Sequence, residues 1–264
     1  MQLEILTCLP PTEPVRQPAL LCIPGAWHNA ACWLPFLNYF AQRGRRAAAL
    51  NLRGHGNSPG RNIHQFGLGD YGEDIATAVA QLIKEWGQAP ILIGHSSGGW
   101  LVQKYLEQHS APAGVLLASL PPTGVRQVRN PFAQRHRGRF FLGLTGLSVR
   151  ALIGDAAIVR KAFYAPTTPL AYVHQQMVHL QTESSRMLFG LGGRTQIEPG
   201  RIQAPLLVLG AGADNFLPAT AVTATAQAYA TQATFIPNLG HAMMTDIGWE
   251  RVADAILAWL ANRL

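Results

Sequence analysis

Ser96 lies in the run Gly94-His95-Ser96-Ser97-Gly98-Gly99, after the apolar stretch Ile91-Leu92-Ile93 and before residues 100–106, which have helical spacing. A serine at a tight strand-to-helix turn can act as a nucleophile. Small flanking residues let strand and helix approach, and the strained turn lifts the hydroxyl clear of its neighbours. The first amides of the new helix, that of Ser97 foremost, then point toward negative charge forming beside Ser96. A serine hydroxyl reacts slowly at neutral pH unless a base takes its proton. Imidazole, titrating near ~6.5 when unperturbed, can take that proton and return it to a leaving group.

The candidate base is His241, at the end of Pro237-Asn238-Leu239-Gly240-His241, which follows the apolar run 233–236. The candidate acid is Asp214, in Gly210-Ala211-Gly212-Ala213-Asp214, which follows the run 204–209. Its task would be to fix the imidazole tautomer and stabilise the imidazolium. Asp246, five residues past His241, is the rival acid and reads as the cap of the last helix; Asp155 is a second rival. His28 and His55 read as scaffold residues. The loop Pro24-Gly25-Ala26-Trp27-His28 follows another buried run, and its Ala26 amide would complete an oxyanion hole with that of Ser97. Trp27 and Trp100 are the candidate pocket walls.

Positioning these groups needs strands whose ends share one edge. Apolar runs at 18–23, 46–52, 89–94, 114–119, 204–209 and 233–236 alternate with helical patterns at 32–42, after Asp70, at 100–106, 219–230 and 248–264. Asp70-x-x-Glu73 reads as a capping box. The alternation predicts an α/β fold: a mainly parallel central sheet with helices on both faces. It fails between 120 and 203, where helical stretches at 131–141, 145–152, 155–163, 170–179 and 184–191 follow one another. The expected organisation is a core of residues 1–121 and 197–264, with a helical cap (lid) insertion, 122–196, over the carboxyl ends of the strands.

A chain of 264 residues, 48% apolar, suits one such domain with an insertion. No apolar run approaches the ~18 residues of a membrane span, and the first residues, Met1-Gln2-Leu3-Glu4, lack the basic lead of a secretory signal. Cys8, Cys22 and Cys32 have neither disulfide-framework nor zinc-ligand spacing. These features predict a cytoplasmic protein that needs no metal and no organic cofactor. The net charge of +7 is concentrated. Ten of the 21 Lys and Arg, including Arg126, Arg129, Arg135, Arg137 and Arg139, fall in 122–196 against Asp155 and Glu183. No nucleic-acid motif accompanies them, so no nucleic-acid partner is expected. The basic face either coats the insertion or attracts an anionic or lipid-like small molecule.

Gly-His-Ser-Ser-Gly-Gly, Arg53-Gly54-His55-Gly56-Asn57-Ser58, Gly210-x-x-x-Asp214 and Gly240-His241 occur in this order. In that respect the whole chain resembles the α/β-hydrolase family. The stretch Glu183-Ser184-Ser185-Arg186 looks most like its carboxylesterase branch, of lysophospholipase or monoglyceride-lipase type. The resemblance implies a serine hydrolase that cleaves carboxylic esters of small or medium acyl substrates through an acyl-enzyme, using Ser96, Asp214 and His241. Relatives with an aspartate nucleophile are set aside because the elbow carries Ser96. Plant hydroxynitrile lyases carry threonine at Gly25 and lysine at Ala242, so the departures favour hydrolysis. The alternatives are a cofactor-free lyase or perhydrolase, or a non-catalytic ligand-binding member.

Overall fold

Strands buried on both faces have to be apolar throughout, and the central apolar runs obey that rule. In the computed structural model, which describes residues 2–11, 17–126, 128–145 and 150–263, the strands are β1 (Ile5–Cys8), β2 (Leu20–Ile23), β3 (Ala47–Leu50), β4 (Ile91–His95), β5 (Gly114–Leu117), β6 (Leu206–Ala211) and β7 (Ala233–Ile236). They form a seven-stranded sheet in the order β1-β3-β2-β4-β5-β6-β7. Every residue of β2 to β6 is buried. β1 alone runs antiparallel, against β3. This strand escaped the sequence reading because a short, half-buried edge strand beside prolines carries little apolar signal.

Helix α1 (Leu34–Gln42) follows a short 3-10 turn, Ala30–Trp33; α2 (Leu68–Trp86) precedes β4, and α3 (Ser97–Leu106) leaves it. Between β5 and β6 lie α4 (Pro131–Arg135), α5 (Arg137–Leu144), α6 (Arg150–Ile153), α7 (Ala156–Phe163), α8 (Leu170–Gln176) and α9 (Ser185–Leu191); α10 (Ala219–Ala228) and α11 (Glu250–Ala261) complete the chain. Helices cover both faces of the sheet: α1 packs on α11, and α2 on α3, while Tyr229 after α10 donates to Gln103 of α3 at 2.8 Å.

Three local expectations change. Asp70 is not the residue that opens α2: Gly67 is the N-cap, and Asp70, three residues on, accepts its amide at 2.7 Å. Asp70 is therefore the acid of the box rather than its start. The helix expected over 131–141 breaks at His136, whose φ −127° and ψ 43° are not helical. The helix expected over 145–152 begins only at Arg150 among the described residues, and 146–149 lie outside them.

Parallel register decides where the chemistry can be. β2, β4, β5, β6 and β7 pair so that Ile23 lies opposite Gly94, His95 opposite Leu117, Leu117 opposite Leu209 and Ala211 opposite Ile236. The loops that follow β2, β4, β6 and β7 therefore leave one edge of the sheet together. They carry Ala26, Ser96, Asp214 and His241. Among the described residues no helix is long and apolar enough to cross a membrane.

Candidate active site

The turn between β4 and α3 holds Ser96 at φ 53° and ψ −119°, a conformation an L-residue adopts only when its surroundings impose it. Ser96 N–H continues the ladder by donating to Leu117 O at 2.9 Å, so the strand delivers the residue before the chain reverses. Two glycines make the reversal possible by close approach. A Cβ on Gly94 would stand 2.5 Å from Gly98 O, and one on Gly98 would lie 2.6 Å from Ile23 O and run into Pro24 O.

Ser96 Oγ is 2.9 Å from His241 Nε2, and His241 Nδ1 is 2.8 Å from Asp214 Oδ2. The other carboxylate oxygen, Oδ1, accepts the amides of Phe216 and Leu217, each at 2.8 Å. Those two bonds orient the carboxylate. An ionised carboxylate only accepts, so Nδ1 carries the proton and Nε2 presents its lone pair to the Ser96 hydroxyl. The Phe216 ring lies 5.0 Å from that of His241, shielding the imidazole from water.

The loop after β2 comes over this line. Trp27 has φ 64°, also in the left-handed region. His28 Nδ1–H donates to Ala26 O at 3.1 Å. The Ala26 amide is not free: it donates to Ser97 Oγ at 2.7 Å. That departs from the simple pair of open amides expected at Ala26 and Ser97. The 3-10 turn that follows is fastened by Ala30 N–H to Asn51 Oδ1 at 2.6 Å.

Above Ser96 opens a cavity of about 1070 Å³. Ala26, Trp27, Ser96 and Ser97 lie on its wall with Leu120, Val128, Phe140, Leu188, Leu191 and Phe216. The polar side chains farther along the wall include Arg129, Arg137 and Gln134, and among the described residues no acidic side chain lines it. Phe141 and Phe189, also on the wall, are 59% and 58% exposed. Trp100 does not line the cavity. It is fully buried in α3, where its Nε1–H donates to Pro122 O at 3.3 Å and props the segment leaving β5.

A family model described as the alpha/beta hydrolase family matches residues 20–255. The chain belongs to the α/β-hydrolase family. A monoacylglycerol lipase of Mycolicibacterium smegmatis is 26% identical over 247 residues, 91% of this chain and 84% of the relative. A non-heme haloperoxidase of Rhodococcus erythropolis is 35% identical, but over 103 residues, 38% of this chain and 36% of its own. The crystal structure of a monoacylglycerol lipase from Paleococcus ferrophilus superposes with a TM-score of 0.72 at 20% identity, covering both chains completely. That last likeness concerns the fold.

This α/β hydrolase holds its His241 loop with a residue the sequence reading placed elsewhere. Asp246 does not cap α11, whose N-cap is Trp249. It is fully buried and accepts four bonds: Gly240 N–H at 2.7 Å, Ala165 N–H at 2.8 Å, Thr168 Oγ1–H at 2.6 Å and Ile247 N–H at 2.9 Å. It ties the loop carrying His241 to the chain beyond α7. Glu183 does the equivalent for the loop after β2. Buried ahead of α9, it accepts from Tyr71 Oη–H at 3.1 Å, Ser184 N–H at 2.6 Å and Trp27 N–H at 3.4 Å, with His55 Nε2 at 3.2 Å. Its neighbours pair with the same loop: Gln181 N–H donates to Trp27 O at 2.8 Å and Asn29 N–H to His179 O at 3.2 Å. A buried acid in a segment otherwise rich in arginine was the available signal, and it was read only as a mark of family.

Three further histidines of the hydrolase are buried, and their titrations shift in opposite directions. His55 is raised above the ordinary imidazole range: burial opposes its charge, but the adjoining Glu183 carboxylate outweighs burial. Burial lowers His28 to about 4 and pushes His95 well below the usual range, so both are neutral at pH 7. His95 Nε2–H donates to His241 O at 2.8 Å, while its Nδ1 is buried and has no partner among the described residues. For His28 and His95 the folded pKa lies below the unfolded one, so their stabilising contribution is full above ~6.5 and is lost as pH falls below it. His28 alone accounts for about 3 kcal/mol lost by pH 4. His55 has the opposite sign and loses its contribution as pH rises through its folded value. Melting temperature is therefore expected to fall steeply from pH 6.5 to 4, and His28→Asn should flatten that slope. A slope unchanged by the substitution would refute the assignment.

Proposed function

We propose that this protein is a serine hydrolase cleaving carboxylic esters of small or medium acyl chains through an acyl-enzyme, with no metal or organic cofactor. The observation that carries the reading is the hydrogen-bonded line Ser96–His241–Asp214 opening onto a mostly apolar cavity. In this mechanism Ser96 Oγ attacks the ester carbonyl as His241 Nε2 takes its proton. The carbonyl electron pair moves onto oxygen, and the oxyanion is held at the Ala26–Ser97 corner. When the pair returns, the C–O bond to the alcohol breaks and the alkoxide takes the proton from His241. Water repeats the cycle on the acyl-enzyme. Asp214 remains ionised throughout and stabilises the imidazolium.

The same geometry supports a substrate with an apolar chain and an anionic or lipid-like group. Val128, Phe140, Leu188 and Leu191 accept the chain, and Arg129 and Arg137 lie on the wall without an acidic neighbour in the lining. Residues 122–196 then act as a cap. The similarity to a monoacylglycerol lipase, over 91% of this chain, supports the ester class. The shorter similarity to a non-heme haloperoxidase favours peracid formation from a carboxylic acid and hydrogen peroxide as a second reading.

A panel of size-matched neutral and anionic esters, monoacylglycerols and peracid formation, measured on one preparation labelled with a fluorophosphonate, tests the proposal. Ester turnover with stoichiometric labelling of Ser96 is expected. The anionic member should lose kcat/KM selectively between 0.1 and 1 M salt, as the Debye length falls from ~10 to ~3 Å. No labelling, or labelling without ester turnover, would overturn the reading.

A further inference from the structure

Ser97 is the first residue of α3, 3% exposed, and borders the cavity beside Ser96. Its hydroxyl accepts the Ala26 amide at 2.7 Å. A hydroxyl has two lone pairs and one proton. One lone pair is thus engaged, whereas among the described residues the Ser97 proton meets no acceptor. The peptide N–H of Ser97 stands at the start of a helix, where the first amides have no helical acceptor. Two donors of one residue therefore adjoin the nucleophile, and one of them is polarised from behind by the Ala26 amide.

We propose that the Ser97 hydroxyl is a donor of the oxyanion hole, paired with the Ser97 amide, and that Ala26 acts through it. The proposal rests on Ser96 being the acylated nucleophile. In the step concerned, the Ser96 Oγ–C bond forms, the Ser96 proton passes to His241 Nε2, and the carbonyl π pair becomes the oxyanion. The Ser97 Oγ–H bond stays intact and only donates. The alternative is that the hydroxyl merely occupies the Ala26 amide and turns aside when substrate arrives. That would leave a buried hydroxyl without its one partner at the moment charge develops, whereas the relay leaves every group satisfied. It also concentrates positive potential where the oxyanion forms, which is the condition for a rate effect rather than a binding effect.

Ser97→Ala and Ser97→Thr decide between the two. With a short p-nitrophenyl ester, Ser97→Ala is expected to lower kcat about 10²- to 10³-fold, the usual loss of one oxyanion donor, at nearly unchanged KM and melting temperature. Affinity for an alkylboronic acid should fall by a similar factor, while affinity for the product carboxylate should hold. Ser97→Thr, which keeps the hydroxyl, should recover most of the rate. A kcat at or above wild type in Ser97→Ala would show that the hydroxyl only blocks the Ala26 amide and would overturn the proposal. Equal losses in both variants would overturn it as well. The wild-type phosphonate adduct gives a reading independent of variant folding: its anionic oxygen should lie about 2.5–2.7 Å from Ser97 Oγ. An adduct held by Ala26 N–H with the hydroxyl turned away ends the proposal while leaving Ser96 as nucleophile. Failure of Ser96 to take the phosphonate ends the underlying reading instead.

Discussion

Ser96→Ala will lower ester hydrolysis by roughly four to six orders of magnitude, leaving the residue of rate that binding and the oxyanion donors supply without a nucleophile. In the proposed mechanism the loss is large because the hydroxyl at 2.9 Å from His241 Nε2 is the group that gives up its proton in the attack. His241→Ala should fall into the same range, since members of such a relay are not additive. Asp214→Asn should cost about 10⁴ in kcat with little change in melting temperature. Its carboxamide oxygen can still accept from Phe216 and Leu217, but its NH₂ meets His241 Nδ1 and forces the wrong tautomer. Single-turnover kinetics with active-site titration measure all three. A Ser96→Ala enzyme that retains a tenth of its rate would refute the mechanism.

Asp246→Ala should act on stability first. Removing this carboxylate strands four donors, on Gly240, Ala165, Thr168 and Ile247, at a site with no exposure. Hydrogen bonds to charged groups contribute about 1.5–3 kcal/mol each and are not additive. The variant is therefore expected to lose on the order of 4 kcal/mol. For a chain of this length that lowers the melting temperature by roughly 10–15 °C. Activity should fall too, because Gly240 precedes His241, the proposed base, but activity per folded molecule should fall far less than in Asp214→Asn. Thermal denaturation and titrated kcat separate the two acids. A melting temperature within a few degrees of wild type would show that the four donors find other partners.

The juxtaposition of Ser96, Asp214 and His241 was legible because each follows a strand, and parallel strands deliver their ends to one edge. Asp246 was misread because an acid a few residues before a helix has a ready local explanation. Its real partners Ala165 and Thr168 lie about 80 residues away, in a loop whose position only the tertiary fold defines. Trp100 was misplaced for a related reason. Proximity to Ser96 in sequence says little about direction once α3 turns the ring toward Pro122. The Ala26–Ser97 contact joins residues 71 apart through a hydroxyl that local pattern treats as interchangeable with any small side chain.

The pairing of 179–181 with the loop at 27–29 has a bearing on recombination between relatives. Leu180 bridges His28 in antiparallel fashion, and Gln181 and Glu183 both bond the Trp27 peptide. A crossover placed at 196, where the alternation of strands and helices resumes, would graft a foreign partner onto the native Trp27 turn. A crossover near 177 keeps donor helices α4 to α8 exchangeable while the recipient retains its own strap across the turn. Chimaeras of this enzyme should therefore be cut ahead of His179.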